Sequence, residues 1–228
     1  MRRDDWLSEV VLRDCWILEE SEVAGLKTNQ FSQESFYTCR ILDQSLKLQN
    51  TLLDLGFRLI VTEVELLGTI RAEKRSSQRC VIRRALPSDQ GAVEDIASTS
   101  FRYDRFHVDS LIESYKADLI KRLWVASSFQ KTSSKDLWVA EFDGIVAGFC
   151  LAQSSREWTR IDLIAVAPRF QGIGVGSALV KSLPGCYRKN SSSIRVGTQE
   201  KNQESIHLYR KCGMNIDHKR SVYHRGFF

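Results

Sequence analysis

The chain lacks any long apolar run. None of its apolar segments approaches the length of about eighteen residues that spans a bilayer. The first residues, MRRDDWLSEVVLRDCW, interleave acidic with apolar side chains and have no continuous apolar core of the kind a signal peptide needs. The six cysteines occur singly, with no CxxC pair and no Cys/His metal spacing. We therefore expect a cytoplasmic protein with no membrane insertion and no metal site.

Nucleic-acid-binding signatures are also missing. The net charge is +5, and much of the excess lies in RAEKRSSQRCVIRR, residues 71–84. No zinc finger, RNP-like aromatic strand or long basic helix accompanies that run, so we expect no nucleic-acid partner. The positive balance instead suits a small ligand that carries phosphate groups.

Glycine is scarce as well, with 13 in 228 residues, yet three occur within five positions of the segment RFQGIGVG. Glycine loses more backbone freedom on folding than any other residue, so such a cluster needs a reason. It follows an apolar strand-like run and precedes a helix that opens near Val175. Glycines there let successive N–H groups point at one anion, and the helix dipole favours negative charge. Arg169 adds a direct partner for a phosphate.

Three kinds of phosphate-binding loop compete for this segment. A Walker A loop requires GxxxxGK[ST], and no Lys-Ser/Thr pair follows these glycines. The Rossmann pattern GxGxxG fails because Ser177 follows Gly176, and the loop comes after Asp143-Gly144, a strong hairpin-turn pair. An oxidoreductase is therefore the least favoured function. A glycine-rich turn without a ligand is a further alternative.

The pattern R-x-x-G-x-G after LIAVAP resembles the coenzyme A loop of GNAT-fold N-acetyltransferases. Downstream, NQESIHLYRKCG resembles the N-x-x-[AS]-x-x-x-Y-x-x-x-G helix of the same family. The resemblance covers roughly residues 80–228. It implies an α+β class, a mixed α/β sandwich with the GNAT acyl-CoA N-acyltransferase fold, and acetyl-CoA as the acyl donor. The donor-binding residues it implies are Ile164, Ala165, Val166, Arg169, Gln171, Gly172, Ile173, Gly174, Val175, Gly176 and Asn202.

The chemistry implied is amide formation from a thioester. No Ser-His-Asp or Cys-His arrangement is evident, so we expect direct transfer to a primary amine in a ternary complex. Tyr209 resembles the tyrosine that protonates the departing thiolate in the family. The base is left open between an ordered water chain, Glu157 and Asp162. The four histidines carry no motif and are expected at the surface.

The N-terminal segment suggests a subclass. LQNTLLDLGFRLIVTEVEL and IRVGTQEKNQESIHLYRKCG together resemble dTDP-fucosamine acetyltransferases, which modify a nucleotide-linked amino sugar and carry an extra N-terminal lobe. With Gly56 placed on Gly213, residues 36–57 and 193–214 both read as strand, amphipathic helix and glycine stop. We predict a degenerate GNAT-like lobe over 1–76 and an acetyltransferase domain over 77–228. Chance similarity between two short units is the alternative.

The acceptor is predicted to bind at FRYDRFHVD, residues 101–109. Arg102 and Arg105 could hold a diphosphate by bidentate hydrogen bonds, and Tyr103 offers a flat face for a base or sugar ring. A core-plugging loop with two solvated arginines is the alternative there. A protein, peptide or small-amine acetyltransferase and a non-catalytic acyl-CoA sensor remain alternative functions. The sequence leaves a homodimer open.

Overall fold

One mixed sheet with helices on both faces forms the computed structural model, which describes residues 1–69, 80–130, 134–155, 157–186 and 193–226. The strands in these ranges are β1 (Arg2–Arg3), β2 (Cys15–Leu18), β3 (Phe36–Leu42), β4 (Arg58–Thr69), β5 (Cys80–Arg84), β6 (Asp136–Phe142), β7 (Ile145–Ser154), β8 (Trp158–Val166), β9 (Ser193–Gln199) and β10 (Asn215–Arg225). The helices are α1 (Asp5–Val11), α2 (Leu46–Asp54), α3 (Gln90–Ser100), α4 (Ser114–Ser127), α5 (Val175–Cys186) and α6 (Gln203–Lys211). The α+β class predicted from the sequence is confirmed.

The order of strands across the sheet is β1-β2-β3-β10-β4-β9-β8-β7-β6-β5. The pairs β2–β3 and β8–β9 are parallel, and the other neighbours are antiparallel. Strand β4, from the N-terminal part of the chain, lies between β9 and β10. The two parts of the chain therefore share one continuous sheet.

The centre of the sheet repeats itself. The unit β3–α2–β4 and the unit β9–α6–β10 start at Phe36 and Ser193, and each element of the second begins 157 residues after its counterpart. Each unit places its last strand beside the first strand of the other. Gly56 (φ +81°) and Gly213 (φ +90°) follow the two helices in the left-handed region. That residues 1–76 are a degenerate copy stays a prediction, and its boundary lies outside the described residues.

Apolar side chains fill both faces of the sheet. On one face α5 and α6 pack on a core that includes Val64, Val196 and Leu179. On the other face α3 and α4 cover a core that includes Val93 and Phe149. A third cluster lies between α2 and the N-terminal strands. Because helices cover both faces of the sheet, the site forms at the strand ends in the middle of the sheet.

Strands β8 and β9 diverge part-way along their length. They pair from Trp158 with Ser193 to Ile161 with Val196, and the parallel ladder ends there. Both strands continue, to Val166 and Gln199. The result is a wedge-shaped gap in an otherwise paired sheet.

One helix boundary differs from the sequence prediction. The apolar pattern predicts a helix over 108–123, whereas α4 begins at Ser114. The reason is a turn in which Asp109 accepts hydrogen bonds from the N–H of Leu111 through its side chain and from the N–H of Ile112 through its carbonyl. Pro184 predicts a kink or an end in the helix after the glycine loop, and α5 ends two residues later, at Cys186. Among the described residues, no helix has the length and apolar character needed to cross a membrane.

Candidate active site

A cavity of about 980 Å³ occupies the gap between β8 and β9. One end, here called the donor end, is lined by the end of β8, the glycine loop and the start of α5. The other, here called the acceptor end, is lined by residues 101–106 and by side chains from α4, β3 and β4. The two ends meet where β8 and β9 separate.

The glycines of the loop have different structural reasons. Gly172 (φ +76°) and Gly174 (φ +96°) adopt left-handed conformations that few other residues tolerate. Gly176 lies in the first turn of α5, where a Cβ atom would be 3.2 Å from a methyl group of Leu208 on α6. Gln171 donates from Nε2 to the carbonyl of Val166 at 3.0 Å and ties the loop to β8. The first two glycines therefore set the turn, and the third lets two helices approach closely.

Tyr209 lies on α6 and lines the cavity, with 3% of its surface exposed. Burial raises the pKa of its phenol above the ordinary value, and the neighbouring Cys150 and Cys212 act in the same direction. No hydrogen bond holds the hydroxyl within the part of the chain that the structure describes. The phenol is therefore protonated at neutral pH.

The acceptor end carries a cluster of half-buried charges. Arg40 donates from Nε to Glu63 at 2.9 Å, and burial alone would raise the pKa of Glu63, but Arg40 holds it below its usual value. Arg105 donates to the hydroxyl of Thr38 at 3.0 Å and lies over the ring of Phe106 at 4.2 Å. Burial lowers the pKa of Arg105 to about 10, so the guanidinium is still charged at neutral pH.

A buried cation lies beside this cluster. Lys121 is 4% exposed, and its Nζ atom lies 3.4 Å from the carboxylate of Asp104. The ring centres of Phe101 and Trp124 are 4.9 and 5.2 Å from Nζ. Burial lowers the pKa of Lys121. The acceptor end therefore combines positive charge with aromatic faces.

The loop over 101–113 is anchored by strands from both halves of the chain. Asp109 accepts two hydrogen bonds from Arg58 on β4, at 3.0 and 3.3 Å, and one from His224 on β10, at 2.8 Å. Phe106 packs in the same region, in one buried cluster with Phe36. The expectation that the histidines lie at the surface is wrong for His224, which is 0% exposed, because its ring packs against Phe36 and Phe106 beside Asp109.

The sequence model of the Acetyltransferase (GNAT) family matches residues 93–214, more than half of the chain. The chain belongs to the GNAT acetyltransferase family. The predicted GNAT fold is confirmed by solved structures as well. A functionally unknown conserved protein from Staphylococcus epidermidis superposes with a TM-score of 0.63 at 14% identity, over 98% of this chain and 80% of that one. A GCN5-related N-acetyltransferase from Sphaerobacter thermophilus gives a TM-score of 0.60 at 16% identity, over 84% of this chain and 59% of that one.

A curated relative is also similar in sequence. It is the spore coat polysaccharide biosynthesis protein SpsD of Bacillus subtilis, 26% identical over 139 residues. The match covers 60% of this chain and 48% of SpsD, so the chain spans about half the length of this curated relative.

Most donor residues implied by the GNAT motifs line the cavity: Ile164, Ala165, Val166, Gln171, Gly172, Gly174, Val175, Gly176 and Asn202. Asn202 also caps α6, because its side-chain oxygen accepts a hydrogen bond from the N–H of Ser205 at 3.1 Å. Arg169 and Ile173 do not line the cavity. The guanidinium of Arg169 lies over the ring of Phe170 at 4.8 Å, and Ile173 is 56% exposed. Contacts of these residues with coenzyme A stay predictions.

The predicted acceptor residues Arg102, Tyr103 and Arg105 all line the cavity. Of the carboxylates considered as a base, Asp162 lines it, with Lys135 at 2.6 Å, whereas Glu157 is exposed and lies outside the lining.

The sequence analysis missed two cavity carboxylates, Glu63 and Glu65, which come from β4. Val64 and Leu66 alternate with them and face the core. The alternation in TEVEL signals one polar face, but it does not show that this face meets β9. Glu65 also lies near Asp217 and His218, with ligand atoms within 4.8 Å of one another. His218 Nδ1 already hydrogen-bonds the exposed Asp217 at 2.8 Å, so this group has partners without a metal ion.

Proposed function

We propose that the chain transfers the acetyl group of acetyl-CoA to the primary amine of a nucleotide-linked amino sugar, by direct attack in a ternary complex. The observation that carries the proposal is that the donor end and the acceptor end belong to one continuous cavity. It joins the glycine loop and Tyr209 at the donor end to a basic, aromatic acceptor end. A donor and an acceptor bound at its two ends would meet in the gap between β8 and β9.

The donor end has the parts that a coenzyme A arm requires. Strand β8 continues past its last pairing with β9, so over 164–166 it is paired with β7 on one edge only, and the other edge faces the amides of a pantetheine arm. The glycine loop at the start of α5 presents backbone N–H groups to a pyrophosphate, with the helix dipole in support.

The reaction forms a C–N bond and breaks the C–S bond of the thioester. The amine must lose a proton before it attacks, and the thiolate must gain one as it leaves. Tyr209 supplies the second proton, because its raised pKa keeps it protonated. Burial that raises the pKa of the phenol also makes a thiolate in the same cavity more basic, which favours the transfer. Asp162 or an ordered water chain takes the proton from the amine.

The acceptor end supports an anionic substrate. Arg102 and Arg105 line it together, and bidentate hydrogen bonds from guanidinium groups suit a diphosphate. Tyr103, which is 43% exposed, and Trp124 offer flat surfaces for a base or a sugar ring. SpsD carries a name from polysaccharide biosynthesis, which fits an acceptor of the sugar class. The resemblance to dTDP-fucosamine acetyltransferases supports the same choice.

The test compares four acceptors with the wild-type protein and acetyl-CoA: a dTDP-linked 4-amino-4,6-dideoxygalactose, a UDP-linked amino sugar, a free amino sugar and a short peptide with a free N-terminus. Released coenzyme A is followed with a thiol reagent, and the acetylated product by mass. We expect the highest kcat/KM with the dTDP-linked sugar. Equal kcat/KM for the free sugar would remove the nucleotide from the proposal, and preference for the peptide would replace the acceptor class. Binding of acetyl-CoA without transfer to any amine would support a sensor.

A further inference from the structure

Gly197 lies at the point where β8 and β9 separate. It follows Val196, the last residue of β9 that pairs with β8, and it lies opposite Glu65 of β4 in the antiparallel register. It lines the cavity. Gly197 therefore occupies the junction between the donor and acceptor ends.

The fold does not require glycine at this position. The backbone of Gly197 is outside the left-handed region, and a Cβ atom built there would meet no other atom within 4 Å. Glycine inside a strand is destabilising relative to alanine, and it often marks a place where a ligand approaches the backbone. We therefore explain the absence of a side chain at Gly197 by a ligand group that enters the cavity there.

The surroundings of Gly197 indicate what would enter. Long side chains lie on the same face of β9 two residues before and two residues after Gly197, at Arg195 and Gln199. The gap between these side chains is therefore one residue wide. Glu65 flanks it on β4, and Asp162 is the first residue of β8 beyond the last pair. Both carboxylates line the cavity, and Asp162 is already ion-paired with Lys135 at 2.6 Å. Carboxylates on two sides of the gap suit a group that arrives as an ammonium ion.

We propose that Gly197 is the floor of the acceptor subsite, where the missing side chain sets the size of the group that carries the reacting amine. The amine-bearing ring lies on the backbone of Gly197, with its ammonium group between Asp162 and Glu65. The inference rests on the proposed function only in taking a primary amine as the acceptor. It does not depend on the nucleotide.

The experiment adds volume at this position in steps, with Gly197→Ala and Gly197→Val. Gly91→Ala is the matched control, because a Cβ atom there also meets nothing within 4 Å and Gly91 lies outside the cavity lining. The acceptors are ethanolamine, a free amino sugar, the dTDP-linked amino sugar and the peptide. We expect Gly197→Val to raise the KM of ring-bearing amines by about tenfold or more, and that of ethanolamine much less. The Kd of acetyl-CoA should not rise, and the melting temperature should not fall.

Each other outcome has a definite meaning. Equal weakening of acetyl-CoA binding would place Gly197 in the donor end, and unchanged KM for every amine would remove it from the acceptor subsite. If the wild type acetylates the peptide or ethanolamine but no sugar, the proposed function fails, and the size series is measured on the accepted amine. If the wild type neither acetylates nor binds any of the four amines in the presence of coenzyme A, the subsite proposal is overturned too.

Discussion

The buried imidazole of His224 should make the protein lose stability in mild acid. Its Nδ1 atom lies 2.8 Å from Asp109, so the neutral ring donates its one N–H to that carboxylate. The Nε2 atom is buried and has no hydrogen-bond partner among the described residues. The rings of Phe36 and Phe106 lie 4.7 and 6.5 Å from the imidazole. A second proton would have to sit on Nε2, in apolar surroundings without an acceptor.

The size of the effect follows from the shift in pKa. Burial lowers the pKa of His224 to about 4, with Arg105 acting in the same direction, although Asp109 opposes the shift. In the unfolded chain the pKa returns to about 6.5. Between these values the unfolded state binds more protons, so the free energy of unfolding falls as the pH falls through this window. At 1.36 kcal/mol per pH unit the loss reaches about 3 kcal/mol by pH 4.

Asp109 contributes in a separate, more acidic window. Burial alone would raise its pKa, but hydrogen bonds from His224 and Arg58 lower it to about 2. A carboxylate whose pKa is lowered by folding stabilises the fold at pH values above its pKa in the unfolded chain, near 3.9. It loses that contribution as the pH falls below this value. Measurements above pH 4 therefore report on His224 with little interference from Asp109.

The assay is urea unfolding followed by tryptophan fluorescence, at intervals from pH 7.5 to 4.5. His224→Asn is the comparison, because its amide can still donate to Asp109 but does not titrate. The pKa of His107 is raised, since hydrogen bonds to Asp104 and Asp118 outweigh its burial, so His107 stabilises the fold as the pH falls. Subtracting the variant's curve from that of the wild type cancels this contribution. A difference curve that stays level from pH 6.5 to 4.5 would refute the reasoning.

Three further predictions concern the cavity. Tyr209→Phe keeps the packing and removes the proton donor, so kcat should fall by about a hundredfold or more while the Kd of acetyl-CoA is kept; turnover equal to wild type would make Tyr209 structural. Gly174→Asp should abolish acetyl-CoA binding in calorimetry, whereas Gly174→Ala has the same backbone strain without the charge and should retain most of it; equal losses in the two variants would trace the effect to strain rather than to a pyrophosphate. Replacing both Arg102 and Arg105 with Gln should raise the KM of the dTDP-linked sugar and leave the affinity for acetyl-CoA unchanged. Arg102→Gln alone is the control variant, because it keeps the contact of Arg105. An unchanged KM in both variants would show that this loop does not bind the acceptor.

The features that the sequence predicted well are local. The sequence reveals the glycine loop through its spacing, because the turn and the helix start are both settled within a few residues. The end of α6 follows in the same way from Gly213, whose positive φ is the ordinary helix stop. The hairpin between β6 and β7 follows from Asp143-Gly144, both with positive φ.

The features that the sequence predicted poorly depend on distant partners. The burial of His224 requires the ring of Phe36 on β3 and the carboxylate of Asp109, which lies 115 residues earlier in the chain. The role of Glu65 in the cavity depends on its register with Gly197, which no local pattern gives. The start of α4 moved because Asp109 is held by Arg58 and His224, and the turn it forms replaces the first helical residues.

The position of β4 has a consequence for how the chain is made. This strand leaves the ribosome before either of its neighbours, β9 and β10, has been synthesised. At about 5–20 residues per second, it waits roughly ten seconds with both edges unpaired. Such a strand is open to pairing with another nascent chain, and its native contacts close large loops, which slows folding. The glutamates and the arginine spaced along β4, Glu63, Glu65 and Arg58, therefore also act during biosynthesis, as charges that oppose association of the waiting strand with its own copies.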